Sequence, residues 1–450
     1  MKKYLPGSTG RLRSCKKEGK AMKGNRAADP FRVSRGGIMI EAMLEYFISI
    51  LTTGAFLAKI TESLGFSDSL TGVLSSFVSL GCLFQLSSVL LLRNLRTVKR
   101  AVMIAHLINE LLFVFVYIAP VVPLGAGAKT AIFLVSFCGA NIIHNVMRAN
   151  KSEWQVSLVD DGKRGMFTAK KEMMSLLGGM IFTYAMGAVF DHLEARGQVR
   201  EAFMVGAAAV LGLMIFHLLS LTMIKEKPTG EKKDSTLQES LKILFSNAMF
   251  KRVVILIILW YAASACATPF YGAYQVGELG FSMTFVSLLS ILYAVVRTVV
   301  SPLLGKYADR TSFSRMNYLC YMVAAAGFLV NCFTAPENGK VFYAVYYALY
   351  AIAMGGINSG LTNLVFDHVQ GENRRNALAI TFALGGLTGF LTTCLMSPLV
   401  AYIQNNGNRI FGLSVYAAQF VSAIAFLLTV VVILYVRYAL IAKEKKLASK

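Results

Sequence analysis

Four polar side chains recur along one apolar stretch near the start of the chain. Glu41, Glu45, Thr52 and Lys59 follow one another at intervals of four, seven and seven residues. At about 100° per residue in an α-helix, these intervals keep them on one face. An ionised group in hydrocarbon costs at least about 2.5 kcal/mol, so this face should meet water or paired partners. Glu45, the deepest acid, is the first candidate for proton exchange, whereas Glu41 and Lys59 are expected near the two ends of the stretch, within reach of water.

Other apolar stretches carry polar side chains at helical spacing. The sets are Asn141, His144, Asn145 and Arg148; Tyr261, Ser264, Thr268 and Gln275 with Trp260; Tyr347, Tyr350 and Asn358; and Arg297 with Ser290, Tyr293 and Ser301. For each aromatic or hydroxyl residue, packing between helices explains the position at least as well as substrate contact. Arg297 needs a carboxylate, an anionic substrate or water, and it is a candidate counter-charge for Glu45. His106 and Glu110 are expected to form a structural pair, with Glu110 the next acid to consider.

The composition shows what kind of elements must position these residues. The chain is 56% hydrophobic and only 15% charged, with a mean hydropathy of +0.57, which is too apolar for a water-soluble protein. The net charge of +21 does not indicate nucleic-acid binding, because the basic residues lie between apolar runs. The seven cysteines show no metal-ligand spacing and no disulfide framework. We therefore expect a polytopic membrane protein with no metal or cofactor.

Twelve apolar segments are each long enough to cross the roughly 30 Å hydrocarbon layer. They lie near 39–61, 68–92, 101–118, 130–147, 172–190, 202–224, 253–275, 282–304, 316–334, 342–364, 377–401 and 412–436. Because a bilayer offers no hydrogen bonds to an open backbone, uniformly apolar segments of this length must be helices. The sequence therefore predicts an all-α membrane protein with twelve transmembrane helices.

Basic residues set the expected orientation. With both termini in the cytoplasm, only five of the 45 Lys and Arg residues fall in outer loops, namely Lys129, Arg196, Arg200, Lys340 and Arg409. The predicted divisions are a basic tail at 1–38, six helices in 39–224, a cytoplasmic linker at 225–252, six helices in 253–437 and a basic tail at 438–450. The linker should contain an amphipathic surface helix from Ser235 to Phe250. Alternatively, translation starts at Met39.

Two short motifs carry a family resemblance. The first is a basic turn between the eighth and ninth segments, with Gly305, Asp309, Arg310 and Arg315. Gly305 should let two helix ends approach, Asp309 should bind a helix N-terminus or a guanidinium, and Arg310 and Arg315 should stay in water. The second motif is the Arg164-Gly165 turn before the fifth segment, followed by Gly178-Gly179. Together with the twelve segments, these motifs resemble bacterial members of the major facilitator superfamily, although Arg93 stands about where the first-half loop should have its Asp.

The resemblance implies two six-helix halves related by a parallel repeat, with the first, fourth, seventh and tenth helices lining a central cavity. It also implies a monomeric secondary carrier of a small solute in the bacterial cytoplasmic membrane, working by alternating access. Such a carrier is either proton-linked, which is expected here, or facilitative. Because the chain has no GxxxxGK[ST] motif, nucleotide-driven transport and enzymatic activity are not expected. Two alternatives stay open: a multidrug-type efflux antiporter, and a receptor or scaffold that does not transport.

Overall fold

A computed structural model describes residues 29–91, 97–159, 164–226, 246–369, 373–410 and 412–444, and within these ranges the chain forms twelve helices. Their bounds are α1 Arg32–Ser63, α2 Asp68–Leu91, α3 Val98–Ile118, α4 Ala126–Ser157, α5 Arg164–Ala195, α6 Val199–Thr222, α7 Ala248–Glu278, α8 Met283–Arg310, α9 Phe313–Asn331, α10 Gly339–His368, α11 Asn373–Asn405 and α12 Ala417–Glu444. Between α11 and α12, the two-residue strands β1 (Arg409–Ile410) and β2 (Leu413–Ser414) pair antiparallel.

Ten of the described helices are long and apolar enough to cross a membrane. The helices α2 and α9 are not among the ten, so the count of twelve spans stays a prediction. The side of the bundle where α1 begins and α12 ends is called the terminal side below, and the other side is called the far side. The predicted surface helix of the linker falls largely on residues 227–245, outside the described ranges.

Several predicted boundaries are wrong. The helix α1 begins at Arg32, within the predicted tail, because Gly37 packs against Ile224 and Ile38 is buried. The helix α4 continues ten residues past 147, to Ser157. The predicted turn at 305–315 is mostly helical, since α8 continues to Arg310 and only two residues separate it from α9.

Two helices are interrupted in their far-side parts. In α1, regular helix stops at Leu51 and resumes at Gly54, whose φ is +58°. In α7, Pro269, which cannot donate a backbone hydrogen bond, lies in a short 3₁₀ turn, Thr268–Phe270. The interruptions meet, because a Cβ at Gly272 would lie 3.1 Å from the carbonyl carbon and oxygen of Gly54. Only a residue without a side chain allows this approach of two backbones.

The helices pack as two groups with the same internal arrangement. In the first group α3 packs on α4 and α6, α1 on α5 and α6, and α2 on α4. Each of these pairs recurs six helices later, with α9 on α10 and α12, α7 on α11 and α12, and α8 on α10. The contacts between the groups correspond in the same way. The second helix of the first group (α2) packs on the fifth helix of the second group (α11), and the second helix of the second group (α8) packs on the fifth helix of the first (α5). This pattern is what a parallel structural repeat produces.

Glycine pairs hold corresponding helices together in the two groups. A Cβ at Gly179 of α5 would lie 2.3 Å from Cε1 of Tyr46 in α1. A Cβ at Gly385 of α11 would lie 2.9 Å from the ring of Tyr261 in α7. Since real Cβ atoms do not come this close, each aromatic ring occupies space that only glycine leaves open. Gly179 and Gly385 therefore have the same packing role in the two groups.

Polar contacts join the two groups on the far side. The Ser69 hydroxyl of α2 bonds the carbonyl of Ser397 in α11 at 2.9 Å. Asp191, near the end of α5, accepts the first backbone N–H groups of α8 at 2.8 and 2.7 Å, where a carboxylate suits the helix dipole. The amide of Gln404 donates to Asp68 at 2.8 Å and to Glu278 at 2.7 Å. These contacts close the space between the two groups on the far side.

Candidate functional site

Seven ionisable side chains from four helices of the first group meet inside the bundle. They are Glu41 and Glu45 from α1, His106 and Glu110 from α3, His144 and Lys151 from α4, and His217 from α6. Residues four or seven apart lie on one face of a helix, which is why three of the helices each contribute two members. These seven residues are called the ionisable cluster below.

Lys151 binds both acids of α1. Its Nζ lies 2.8 Å from Oε1 of Glu41 and 2.5 Å from Oε1 of Glu45. Gln155, one turn along α4, donates from Nε2 to the other oxygen of Glu41 at 2.7 Å. Sequence reasoning missed Lys151 because the predicted helix stopped at 147. Its place seven residues after His144, on the same helical face, was the available signal.

His217 connects the acids of α1 and α3. Its Nδ1 hydrogen-bonds Oε1 of Glu110, and its Nε2 lies 3.4 Å from Oε1 of Glu41. His106 also approaches Glu110, with its Nδ1 3.3 Å from Oε1. The predicted pair of His106 and Glu110 is present, and His217 connects it to α6 and to Glu41 of α1. His217 was missed because sequence reasoning assigned no functional role to the sixth segment.

Burial divides the cluster into an edge and an interior. The side chains of Glu45 and His144 are 26% and 28% exposed, and they face each other with 3.6 Å between Oε1 and Nδ1. The side chain of Glu41 is 1% exposed, which corrects its predicted interfacial position. Glu45 also contacts Lys151, whose side chain is 8% exposed. The cluster is therefore most accessible at Glu45 and His144.

The cluster contains fewer fixed positive charges than carboxylates. With the three histidines neutral, three carboxylates and one ammonium leave a net charge of −2. Burial in a low dielectric favours neutrality, so this group of side chains can take up protons on its histidines or carboxyls without changing partners. Two buried atoms of the cluster, Nδ1 of His106 and Oε2 of Glu110, have no hydrogen-bond partner among the described residues. These atoms are available for such an exchange.

The same donors could in principle hold a metal ion. Ligand atoms of Glu41, His106 and His217 lie within 4.8 Å of one another, as do those of Glu45, His106 and His144. However, the ammonium of Lys151 already bonds both α1 carboxylates, and a second cation would be repelled at this distance. The geometry therefore favours protons over a metal.

Arg297 lies in α8, in the second group, and does not meet Glu45. It is half-buried, its guanidinium lies beside the Tyr293 hydroxyl, and Tyr46 of α1 is near it from the first group. Among the described residues, no carboxylate forms an ion pair with it. The counter-charge of Glu45 is Lys151, so the suggested partnership of Glu45 and Arg297 is corrected.

Most other predicted residues of α4 and α7 bond within their own helix or pack. Asn141 and Asn145 each donate to a carbonyl four residues earlier at 2.9 Å. Trp260 is buried, with its ring 5.0 Å from that of Tyr321. Thr268 donates to the carbonyl of Ser264 at 3.0 Å. These contacts favour structural roles.

The remaining predicted residues, on α1, α7 and α10, do not lie together in the structure. Gln275, which is buried in α7, donates to the hydroxyl of Tyr347 at 3.2 Å, whereas Asn358 is exposed. On α1, Lys59 leaves the predicted polar face and pairs with Glu194 at 2.6 Å, because the helix is interrupted before it. Thr52 bonds the carbonyl of its own helix at position 48, at 3.0 Å.

The signature turn has fewer contacts than expected. A Cβ at Gly305 would meet no atom within 4 Å, so no close approach of helices requires a glycine there. Asp309 is exposed, and no hydrogen bond or ion pair of the described residues involves its carboxylate. Arg310 and Arg315 are exposed. The first turn of α5 contains Arg164 and Gly165. The side chain of Arg164 lies outside the described part.

Known proteins share this architecture. Structures of the nucleoside transporter NupG and of a D-xylose-proton symporter match with TM-scores of 0.66 and 0.68, at 15% and 14% identity. Each match covers 90% of this chain, and 98% and 96% of the other chain. A bacterial homolog of the human lysosomal transporter Spinster, in an inward-facing and unoccupied conformation, matches with a TM-score of 0.62 at 13% identity, covering 92% and 96%. At these identities the similarity establishes the fold alone.

No curated protein sequence matches the chain significantly. The sequence profile of the Major Facilitator Superfamily, in contrast, matches residues 38–393, which is most of the chain. This match agrees with the all-α fold, the membrane-length helices and the repeated packing of the two helix groups described above. The protein belongs to the major facilitator superfamily.

Proposed function

We propose that this protein is a proton-coupled carrier that moves a small polar solute across the bacterial cytoplasmic membrane by alternating access. The observation that carries the proposal is the ionisable cluster, which holds three carboxylates and three histidines around one ammonium and meets the cavity only at Glu45 and His144. Such a group binds protons inside the membrane, where isolated charges are otherwise expensive.

The packing of the two helix groups supports alternating access. They are joined by polar contacts on the far side, and the concentration of basic residues on the terminal side supports a cytoplasmic position for that side. Exchanging which side is closed would carry a solute bound between the groups across the membrane. Two structural neighbours, a nucleoside transporter and a D-xylose-proton symporter, support a polar solute and proton coupling.

The test is solute-dependent proton movement. Proteoliposomes containing a pH-sensitive dye receive nucleosides, pentoses, hexoses or small carboxylates on the outside, with protein-free vesicles as the control. A symporter acidifies the lumen when its solute enters, and the E45Q variant does not. If a labelled solute crosses without any proton movement, coupling is wrong. If no solute of the panel crosses, the proposal gives way to the receptor or scaffold alternative, and if the lumen becomes more alkaline, to an efflux antiporter.

A further inference from the structure

Arg297 is a charged group without an anionic partner, between the two helix groups. It lies about midway along α8, half-buried, beside Tyr293. Tyr46 of α1 is near it from the opposite group. The ring of Tyr293 is in turn 6.4 Å from that of Tyr350 in α10. The guanidinium therefore lies near tyrosines of α8 and α1, with a third tyrosine, on α10, next to Tyr293, and none of these neutralises its charge.

Other cations of this protein show how the fold treats a charge that has only a structural role. Lys151 in the membrane interior bonds two carboxylates, and Lys59 near the far side bonds Glu194. Burying a cation without a partner is unfavourable, so a guanidinium at this depth is retained where an anion arrives to bind it. Among the described residues no carboxylate is near enough to fill that role for Arg297.

We propose that Arg297 binds the carboxylate of the transported solute, and that the solute is an organic acid with a ring-shaped or apolar body. The inference rests on the proposed transport function and adds its substrate class. A guanidinium offers a planar fork of donors that matches a carboxylate. The faces of Tyr46, Tyr293 and Tyr350 suit the body of such a molecule.

The charge balance selects a carboxylate over a phosphate. One guanidinium neutralises a single negative charge, whereas a phosphate group carries up to two at neutral pH. The other buried cation of the cavity region, Lys151, is already held by two acids. Because Tyr46 and Arg297 belong to different groups, a solute bound between them contacts both and responds to their relative movement.

The experiment measures binding to the purified full-length protein in detergent by thermal shift. Two matched pairs of probes are used, benzoate with benzamide and glucuronate with glucose. We expect at least one carboxylate to raise the melting temperature more than its neutral partner. In R297Q its dissociation constant should rise roughly 10- to 100-fold, the range expected for losing a hydrogen bond to a charged group. R315Q, which removes an exposed arginine, is the matched control and should bind like the wild type.

Several results would overturn the proposal. They are stabilisation by neither carboxylate, equal stabilisation by the neutral partners, or unchanged carboxylate binding in R297Q. If R297Q does not fold, R297K decides, because it keeps the charge but loses the planar fork, and binding should weaken without disappearing. Proton movement driven by a sugar or nucleoside but by no carboxylate refutes the substrate class alone. Arg297-dependent carboxylate binding without transport refutes the carrier function alone.

Discussion

Lys151 stabilises two acids at once, since its ammonium bonds both Glu41 and Glu45. Replacing it with methionine keeps the length of the side chain but leaves two carboxylates facing each other inside the bundle. Breaking a buried pair in this way typically lowers the free energy of unfolding by about 3–5 kcal/mol. We expect K151M to show a clearly lower melting temperature in detergent.

The matched control for this change is K59M. Lys59 pairs with Glu194, whose side chain is 41% exposed, and exposed pairs contribute about 0–1 kcal/mol. Its melting temperature should therefore stay close to that of the wild type. If K59M and K151M lower the melting temperature equally, burial of the cluster does not make its ion pairs more stabilising than an exposed pair.

Glu45 is the acid of the cluster whose side chain is partly exposed. Glutamine at this position mimics the protonated acid, so E45Q should lose solute accumulation driven by a pH gradient while keeping exchange between two equal pools. Uptake and counterflow of a labelled solute in proteoliposomes measure the two activities separately. The control is E62Q on the same helix, because Glu62 is exposed and only approaches Lys59, at 3.6 Å.

If E45Q accumulates solute like the wild type, the coupling role belongs to another acid, and Glu110 is the next to test. The structure changes what we expect of Glu41. The sequence placed it near the membrane surface, where E41Q would have little effect. Because Glu41 is buried and bonds Lys151 and Gln155, we now expect E41Q to impair coupling as well.

Packing of α1 on α5 depends on the glycine at 179. In G179A the new methyl group would lie 2.3 Å from Tyr46 Cε1, and overpacking of this kind costs about 1–3 kcal/mol. We expect a lower melting temperature, restored in part by adding Y46A. The control is G212A in α6, where a Cβ meets no atom within 4 Å and where alanine is the better helix former. A stable G179A with a destabilised G212A would contradict this account of the packing.

The helices themselves were largely predictable, because long apolar runs in a bilayer can only be helical. The end of α4 was not. Asn150, Lys151 and Gln155 look like loop residues by composition, yet they fold as helix because Lys151 and Gln155 bond Glu41 across the bundle. Five of the seven residues of the cluster were therefore visible from the sequence. Lys151 and His217 could be assigned only once the neighbouring helices were in place.

The far-side closure of the whole molecule can be locked. The hydroxyl oxygens of Ser69 in α2 and Ser397 in α11 are 2.5 Å apart, so cysteines at both positions should form a disulfide on oxidation. We expect the oxidised double variant S69C/S397C to stop transporting and to recover when reduced with dithiothreitol. S69C alone, treated in the same way, is the control. Undiminished transport by the crosslinked protein would mean that the far side does not need to open.

Orientation in the membrane is the second property of the whole molecule that can be measured. Single cysteines replace Glu337, exposed on the far side, and Lys306, exposed on the terminal side. Because basic residues concentrate on the terminal side, an impermeant thiol reagent should label the first from outside intact cells and the second only after permeabilisation. The parent protein gives the background from native cysteines. The reverse labelling pattern would overturn the predicted topology.

The interruptions of α1 and α7 form a hinge in the bundle. Each interruption breaks the regular pattern of backbone hydrogen bonds, and the two meet at Gly54 and Gly272, where no side chain lies between the backbones. The far-side ends of both helices can therefore rotate about this shared contact. They can swing while the preceding turns of α1 keep Glu41 and Glu45 on Lys151. In the transport cycle proposed above, the bending of α1 and the binding of the proton would therefore belong to different parts of the same helix.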